Sequence, residues 1–368
     1  MSWAALSELV PYYPLYALLF VDTGLSEAQV SVLFAVWSVT AFLAEVPTGA
    51  LADRWSRRGA LVLAGGLQAA AFVIWTAAPG FSAFAIGFVV WGLGGALMSG
   101  TSEALVYDGL AALRGEGAYV RVHGWMTSAE LLVQVPTAFL ASALFAVGGY
   151  PLVGWVSVGI CVCAGLLALR FPDPAHFEDE DEDEPTGLRR GVVDALRRPG
   201  LWLVVLAVAF IGGLDAVEEY FPLLAADRGV PVTAVPVAVL GIALAGAAGA
   251  ALGGQAGRLP DRALPALLLV AGGLLAAAAV LPSLPALGAV AAFYGLYLAV
   301  LVVAEARLQD RIVGRYRATV TSVAGLGIEV AALLVFAGWA LGGAVAVAVL
   351  VLLVVPLSRA GLRTPAAR

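Results

Sequence analysis

A hexapeptide written twice sets the tightest limit on how this chain can fold. Gly49-Ala-Leu-Ala-Asp53-Arg54 returns as Gly257-Arg-Leu-Pro-Asp261-Arg262, 208 positions later and again between apolar runs. Glu103-Ala104 with Asp108 is echoed by Glu305-Ala306 with Asp310 at an offset of 202. Pro79 and Trp91-Gly92-Leu93 align with Pro282 and Tyr294-Gly295-Leu296 at 203. Three collinear matches at nearly one spacing make the chain a duplicated half.

Composition says what each half is. Hydrophobic residues make up 61% of the chain and charged ones 12%, where a soluble domain carries about 25% charged. In lipid every backbone polar group must be satisfied within the protein, which leaves helices or closed barrels. Apolar stretches of roughly 17–25 residues, enough to cross a bilayer, can be laid out twelve times. The expected spans are roughly 3–21, 28–50, 59–78, 82–107, 121–147 and 150–170, then 201–224, 233–254, 264–282, 285–305, 318–337 and 339–357. The fold class is therefore an all-α polytopic membrane protein, with twelve transmembrane helices in two pseudo-symmetric six-helix bundles. The bundles are expected at residues 1–170 and 200–368, the second ending in a short cytoplasmic tail. Two such halves facing a central cavity is a common plan for transporters.

Orientation follows from arginine, since the chain has no lysine and all 20 basic residues are Arg. With both termini cytoplasmic, every Arg except Arg228 falls in or beside a cytoplasmic loop, as the positive-inside rule requires. The expected location is a bacterial inner (plasma) membrane, the lysine-free, Ala/Gly/Arg-rich usage suggesting a GC-rich genome. The first segment carries no basic leader or small-residue cleavage pattern and is expected to be a retained helix, distorted by Pro11 and Pro14. Cys161 and Cys163, two apart on one helix, read as apolar packing residues. The link at 171–199 holds seven consecutive acids, Glu178–Glu184, then Arg189, Arg190, Arg197 and Arg198. It reads as a solvated acidic cytoplasmic linker whose last part lies along the membrane surface.

Gly49-Ala-Leu-Ala-Asp53-Arg54-Trp-Ser-Arg57-Arg58 resembles the loop between helices 2 and 3 of the major facilitator superfamily, roughly G-x-L-a-D-r-x-G-R-[RK]. The match holds at Gly49, Leu51, Asp53, Arg54, Arg57 and Arg58 and fails where Ser56 replaces the second Gly. The family carries a weaker copy between helices 8 and 9, where Gly257–Arg262 falls. The resemblance, of the twelve-helix, proton-coupled type, implies that Asp53 latches the cytoplasmic side by facing the start of helix 11, with Arg57 as its support; a helix N-terminus is favourable for a carboxylate. A plain positive-inside anchor is the competing reading, more evenly matched for Asp261 and Arg262. Two other family signals are missing: helix 4 carries no buried Arg, and helix 5, around Gln134-Val-Pro136, lacks the exporters' Gly-Pro pattern.

Ionisable residues inside a bilayer are costly and are functional candidates by default. Asp215, Glu218 and Glu219 share one face of a helix at i, i+3 and i+4; the resemblance implies that this helix lines the central cavity, which ranks Asp215 and Glu218 first as proton or substrate sites, with a hydrated outer mouth as the alternative. Glu130 and Glu329, at loosely matching places in helices 5 and 11, rank second, with an interhelical hydrogen bond as the plain reading. Glu45, Glu103 and Glu305 lie near cytoplasmic arginines, and with Asp108 read as a salt-bridge network closing the inner gate. Gly249 and Gly253 form a G-x-x-x-G pair suited to close helix contact. Tyr12, Tyr13, Tyr16, Trp91, Trp125, Tyr294 and Tyr297 could line a cavity or sit at lipid-facing positions.

A carboxyl that releases a proton in one facing state and regains it in the other is the minimum part for proton coupling. Acids without bases also disfavour an anionic substrate. The expected function is a secondary transporter moving a small neutral or cationic lipophilic solute by alternating access, as a proton antiporter in efflux. Proton-coupled uptake is the alternative within that class, and a transporter-like receptor that does not translocate is the alternative outside it. No G-x-x-x-x-G-K-[ST] loop, G-x-S-x-G or clustered His/Cys ligand set points to a pump or enzyme. The expected partners are solute, protons and the lipid bilayer, with no nucleic acid, no cofactor and no metal, and the chain is expected to work as a monomer.

Overall fold

The computed structural model describes residues 1–112, 118–171, 200–312 and 317–363, except the side chains of residues 53, 54, 100, 111, 112, 120 and 317–319. Every regular element among them is a helix. The first half runs α1 (Ser2–Glu8), α2 (Tyr16–Asp22), α3 (Glu27–Arg54), α4 (Arg57–Ala77), α5 (Phe81–Ala112) and α6 (Tyr119–Ala168). The second runs α7 (Leu201–Gly213), a 3₁₀ segment (Leu214–Tyr220), α8 (Phe221–Asp227), a 3₁₀ turn (Val232–Ala234) and α9 (Val235–Ala251). It continues with α10 (Gly253–Ala256), α11 (Ala263–Ala278), α12 (Ser283–Arg311) and α13 (Arg317–Gly361).

Eight of these helical spans are long and apolar enough to cross a membrane. Two of the eight, in α6 and α13, are each two crossings joined at a break. Gly149 turns the first at φ 59°, ψ −160°, and Gly343 turns the second at φ 57°, ψ −147°. Both lie in a region that side chains other than hydrogen strongly disfavour. The apolar α11 and the interrupted first segment, α1 with α2, bring the crossings to the expected twelve. The last break corrects the sequence reading, which cut the chain at 337/339. That stretch is apolar throughout, so only the backbone conformation at Gly342–Gly343 marks the turn.

Duplication is visible in the backbone itself. The remaining positive-φ glycines, Gly24 (97°) and Gly229 (81°), are also a pair, each closing a helix in the sequence Asp-x-Gly. In both, the amide after the glycine reaches back five residues, Leu25 to the Phe20 carbonyl at 3.2 Å and Val230 to that of Ala225 at 3.1 Å. This is the Schellman closure, which satisfies helix-end carbonyls and favours glycine at the reversed position. Helix contacts repeat as well: α4 packs on α5 and α6, and α5 on α3, while α11 packs on α12 and α13, and α12 on α10. Likewise α1 packs on α6 and α7 on α13.

Helix starts follow side-chain chemistry. Ser26 and Gln29 form a capping box at α3, with the Ser26 amide donating to Gln29 Oε1 at 3.0 Å. Ser56 caps α4 by accepting from the Gly59 amide at 2.9 Å. Ser56 is the residue that breaks the family loop pattern, and a serine here satisfies an amide that glycine would leave to solvent.

The chain divides into two compact units, residues 1–171 with 231–240 and residues 200–230 with 241–363; the linker at 172–199 lies outside the described residues. In the first unit the core is aromatic. Tyr12, Tyr16, Phe20, Phe72, Trp75 and Phe88 are buried together, Trp75 and Phe88 with ring centroids 4.8 Å apart. The Trp75 indole N–H donates to the Phe84 carbonyl at 3.1 Å. Tyr12, Tyr16 and Trp91 are thus packing residues, whereas Trp125 is 64% exposed. Cys161 is buried and Cys163 exposed, both as free thiols.

The second unit is held by small residues. A Cβ on Gly213 would lie 2.4 Å from that of Ala331, and one on Gly327 would lie 2.6 Å from that of Ala209. On the other side of the unit, a Cβ on Gly249 would lie 1.9 Å from the Gly295 carbonyl oxygen. Gly253 meets Val302 in the same seam. The G-x-x-x-G pair therefore does what its spacing predicts, letting α9 and α10 approach α12 at backbone distance.

Candidate functional site

Asp215 and Glu218 lie in the 3₁₀ segment between α7 and α8, not on a continuous α-helix as the sequence suggested. Pro222 supplies the reason: without an amide hydrogen it cannot serve the carbonyl four residues back, that of Glu218. The Phe221 amide takes that carbonyl instead, in the tighter i to i−3 pattern. With three residues per turn, side chains three apart eclipse. Asp215 and Glu218 are brought into line, and Glu219 is turned about a third of a circle away. The expected three-acid face is thus a two-acid face.

Both carboxyls meet one hydroxyl. Tyr294 Oη on α12 lies 3.2 Å from Asp215 Oδ1 and 3.0 Å from Glu218 Oε2. Asp215 is half-buried and Glu218 exposed, and among the described residues neither is in an ion pair. Sharing one neighbour holds the two oxygens within about 6 Å of each other. Two ionised carboxylates at that distance repel by roughly 3 kcal/mol at an effective dielectric near 20. One hydrogen on the pair removes that repulsion. The arrangement therefore suits two carboxyls sharing a single acidic proton.

Tyr294 is held from three sides. Gly246 on α9 leaves room for its ring, since a Cβ there would lie 2.5 Å from Tyr294 Cδ1. Phe221 meets the ring edge-on at a centroid distance of 5.0 Å, and Tyr297 stacks on it at 5.9 Å. The Tyr297 hydroxyl donates to the Gly212 carbonyl at 3.3 Å, close to where α7 gives way to the 3₁₀ segment. Tyr294 entered the sequence reading only as one cavity aromatic among seven. Its alignment with Trp91, each just before a glycine of the repeat, was the available signal. Gly92 of α5 meets Thr40 and Ala41 of α3, as Gly295 of α12 meets Ala245 of α9.

The other acids are dispersed. Glu130 on α6 is half-buried and interacts electrostatically with Glu8 of α1. Glu329 on α13 is exposed and has interactions of its own. Glu305, exposed on α12, acts electrostatically on Asp215.

At the ends assigned to the cytoplasm each unit carries an ion pair. Arg57, at the start of α4, pairs with Asp108 near the end of α5. Arg307 on α12 pairs with Asp261 at 3.2 Å and also donates to the Leu362 carbonyl. The repeat has thus exchanged signs: the loop contributes the base in one unit and the acid in the other. Glu45 and Glu103 are exposed. Among the described residues, Glu45, Glu103 and Glu305 are in no ion pair, while Arg57 and Asp261 have interactions beyond these two pairs. Arg58 sits half-buried beside Arg57 with interactions of its own, and Arg262 is exposed at the start of α11. Gly49 lies within α3 with no atom near its Cβ position. The side chains of Asp53 and Arg54 lie outside the described residues.

Arg228, the one arginine placed on the outer side, has a local task that the sequence reading missed. Its guanidinium donates to the carbonyls of Ala279 at 2.7 Å and Leu281 at 3.3 Å, just past the C-terminus of α11. A cation there meets unsatisfied carbonyls and the negative end of the helix dipole.

Comparison with known proteins bears directly on these features. The sequence profile described as Major Facilitator Superfamily matches residues 2–336. An uncharacterized MFS-type transporter of Mycobacterium tuberculosis is 30% identical over 171 residues, in strains CDC 1551 and H37Rv alike. The match spans 46% of this chain and 40% of the relative's length. Among solved structures, a bacterial homolog of the human lysosomal transporter Spinster, inward-facing and occupied, superposes with a TM-score of 0.76 at 15% identity, covering 99% of this chain and 96% of that one. The nucleoside transporter NupG gives 0.74 at 11%, covering 97% and 94%. The D-xylose–proton symporter gives 0.73 at 14%, covering 97% and 95%.

Proposed function

Because the chain belongs to the major facilitator superfamily, we propose that it is a proton-coupled secondary transporter working by alternating access, exporting a small neutral or cationic lipophilic solute. The observation that carries this reading is the pair Asp215–Glu218 on one tyrosine hydroxyl. A carboxyl pair without a basic partner holds a proton when closed and offers a negative charge when the proton leaves. Such a site attracts a cation and repels an anion. Proton against cation at one place is the simplest exchange it can perform. Asp53 is proposed as the cytoplasmic latch. Arg57–Asp108 braces the signature loop in the first unit and Asp261–Arg307 its copy in the second, with both termini cytoplasmic in an inner membrane and the monomer as the working unit.

Uptake by proton symport is the second reading, favoured by the fold shared with the D-xylose–proton symporter. Inside-out vesicles with an acid interior and a fluorescent pH probe separate the two. Export by antiport is expected to give solute-dependent proton loss from the vesicles as lipophilic cations are added, abolished in an Asp215→Asn/Glu218→Gln double variant. Gradient collapse unaltered in that variant would remove the pair from the mechanism. No response across cations, antibiotics and sugars, with protein present in the membrane, would shift the reading to uptake or to a non-transporting receptor. An Asp53→Asn variant with normal membrane abundance is expected to lose transport; unchanged transport would refute the latch.

A further inference from the structure

We propose that Tyr294 meters the proton of the Asp215–Glu218 pair: it holds one acidic hydrogen between the two carboxyls and ties α12 to the 3₁₀ segment while that hydrogen stays. The inference rests on the pair being the proton site of the transport cycle.

A phenol has one hydrogen to donate and an oxygen able to accept. Its two contacts, at 3.2 and 3.0 Å, are both satisfied when it donates to one carboxylate and accepts from the other carboxyl, which carries the proton. When that proton departs to water, two groups that can only accept face one donor, and one contact is lost. The released carboxylate is then open to a cationic solute. Reprotonation restores the bridge, and only O–H bonds are made or broken.

Two neighbouring hydroxyls on α12 divide the work. Tyr297, three residues on and so on the same helical face, binds the Gly212 carbonyl at 3.3 Å, a tie that no proton controls. Tyr294 binds the ionisable pair, a tie that a proton does control. Gly246 and Phe221 fix its ring independently of the carboxyls. The other titratable groups on the surrounding elements are Glu219 and Tyr220 in the same segment, Asp227 at the end of α8, and Tyr297 and Glu305 on α12, whose last turns add Arg307, Asp310 and Arg311. Arg317, Glu329 and Arg359 belong to α13, while α7 and α9 contribute none.

The test is infrared difference spectroscopy of the full chain reconstituted in lipid, cycled in pH without any solute. The expected signal, taken as the difference between the parent chain and Asp215→Asn/Glu218→Gln, is the C=O stretch of one protonated carboxyl per protein. In Tyr294→Phe the band is expected at higher frequency, because the carboxyl hydrogen has lost its phenol acceptor. A signal of two carboxyls, or an unmoved band in Tyr294→Phe, would overturn the proposal. Should Tyr294→Phe fail to accumulate, Gly246→Ala, which displaces the ring without replacing a titratable group, is expected to move the band in the same sense, and an unmoved band there overturns it too. Vesicles that carry solute without moving protons would instead overturn the coupling, with the spectrum still reporting on the bridge.

Discussion

Gly249→Ala asks the second unit to admit one methyl group where it has no room. The added Cβ would sit 1.9 Å from the Gly295 carbonyl oxygen and 2.5 Å from its carbonyl carbon. Both are backbone atoms, which no rotamer change can move aside. Restoring an ordinary contact of about 3.3 Å requires α9 and α12 to separate by roughly 1.4 Å, and interfaces packed at interior density do not stretch freely. Overpacking of this kind costs about 1–3 kcal/mol, against which Ala gains about 1 kcal/mol over Gly in helix propensity. The net expectation is a loss of up to about 2 kcal/mol. Gly241 provides the control: it lies in the same helix with no atom within 4 Å of its Cβ position, so Gly241→Ala should be neutral or gain up to about 1 kcal/mol. Thermal unfolding of the two variants in one detergent, followed by tryptophan fluorescence, reads the difference. Because Gly295 follows Tyr294, the same displacement should also weaken solute-dependent proton movement in Gly249→Ala. A Gly249→Ala protein that melts at or above Gly241→Ala would refute the close approach of these helices.

Three further outcomes are expected. Arg228→Ala removes two charge-assisted hydrogen bonds to the end of α11, each of the order of 1–2 kcal/mol in a part-buried setting; unfolding in detergent should show a loss of about 2 kcal/mol, partly recovered by Lys. Gly343→Ala meets no atom within 4 Å, so its cost, about 1–3 kcal/mol, should come from the backbone alone, and Gly149→Ala should match it; an unaffected melting curve would contradict the positive φ at both turns. Exchanging the charges of Arg57 and Asp108, a half-buried pair, should cost less stability than either single charge reversal, which leaves two like charges together, and restore transport lost in either, measured as substrate efflux from cells.

Much of this protein could be read from its residues alone. An apolar chain with arginines confined to alternate loops has one solution in a bilayer, a stack of crossing helices with its basic loops on one side. The repeat of Gly49–Arg54 at Gly257–Arg262 made it two like halves, and the paired glycines at 24/229 and 149/343 show the same duplication in the backbone. G-x-x-x-G at Gly249 and Gly253 announced a close helix contact, though not its partner. That is because a small residue states that something approaches and not what.

Tertiary structure decided the site. Sequence spacing placed Asp215, Glu218 and Glu219 on one α-helical face, because periodicity assumes a regular helix. Gly212 and Gly213, packed closely on α13 at the end of α7, and Pro222 at the start of α8 bound a segment wound more tightly, which aligns two of the acids and turns the third aside. Tyr294 lies 76 residues from Glu218, and no local pattern connects them. Only the packing of α12 against α7, with Gly246 on α9 leaving room for the ring, carries its hydroxyl to the carboxyls. The apolar pattern determined how many helices cross, since burial in lipid acts on each segment separately. Which side chains meet depends on how segments distant in sequence pack, and no single segment encodes that.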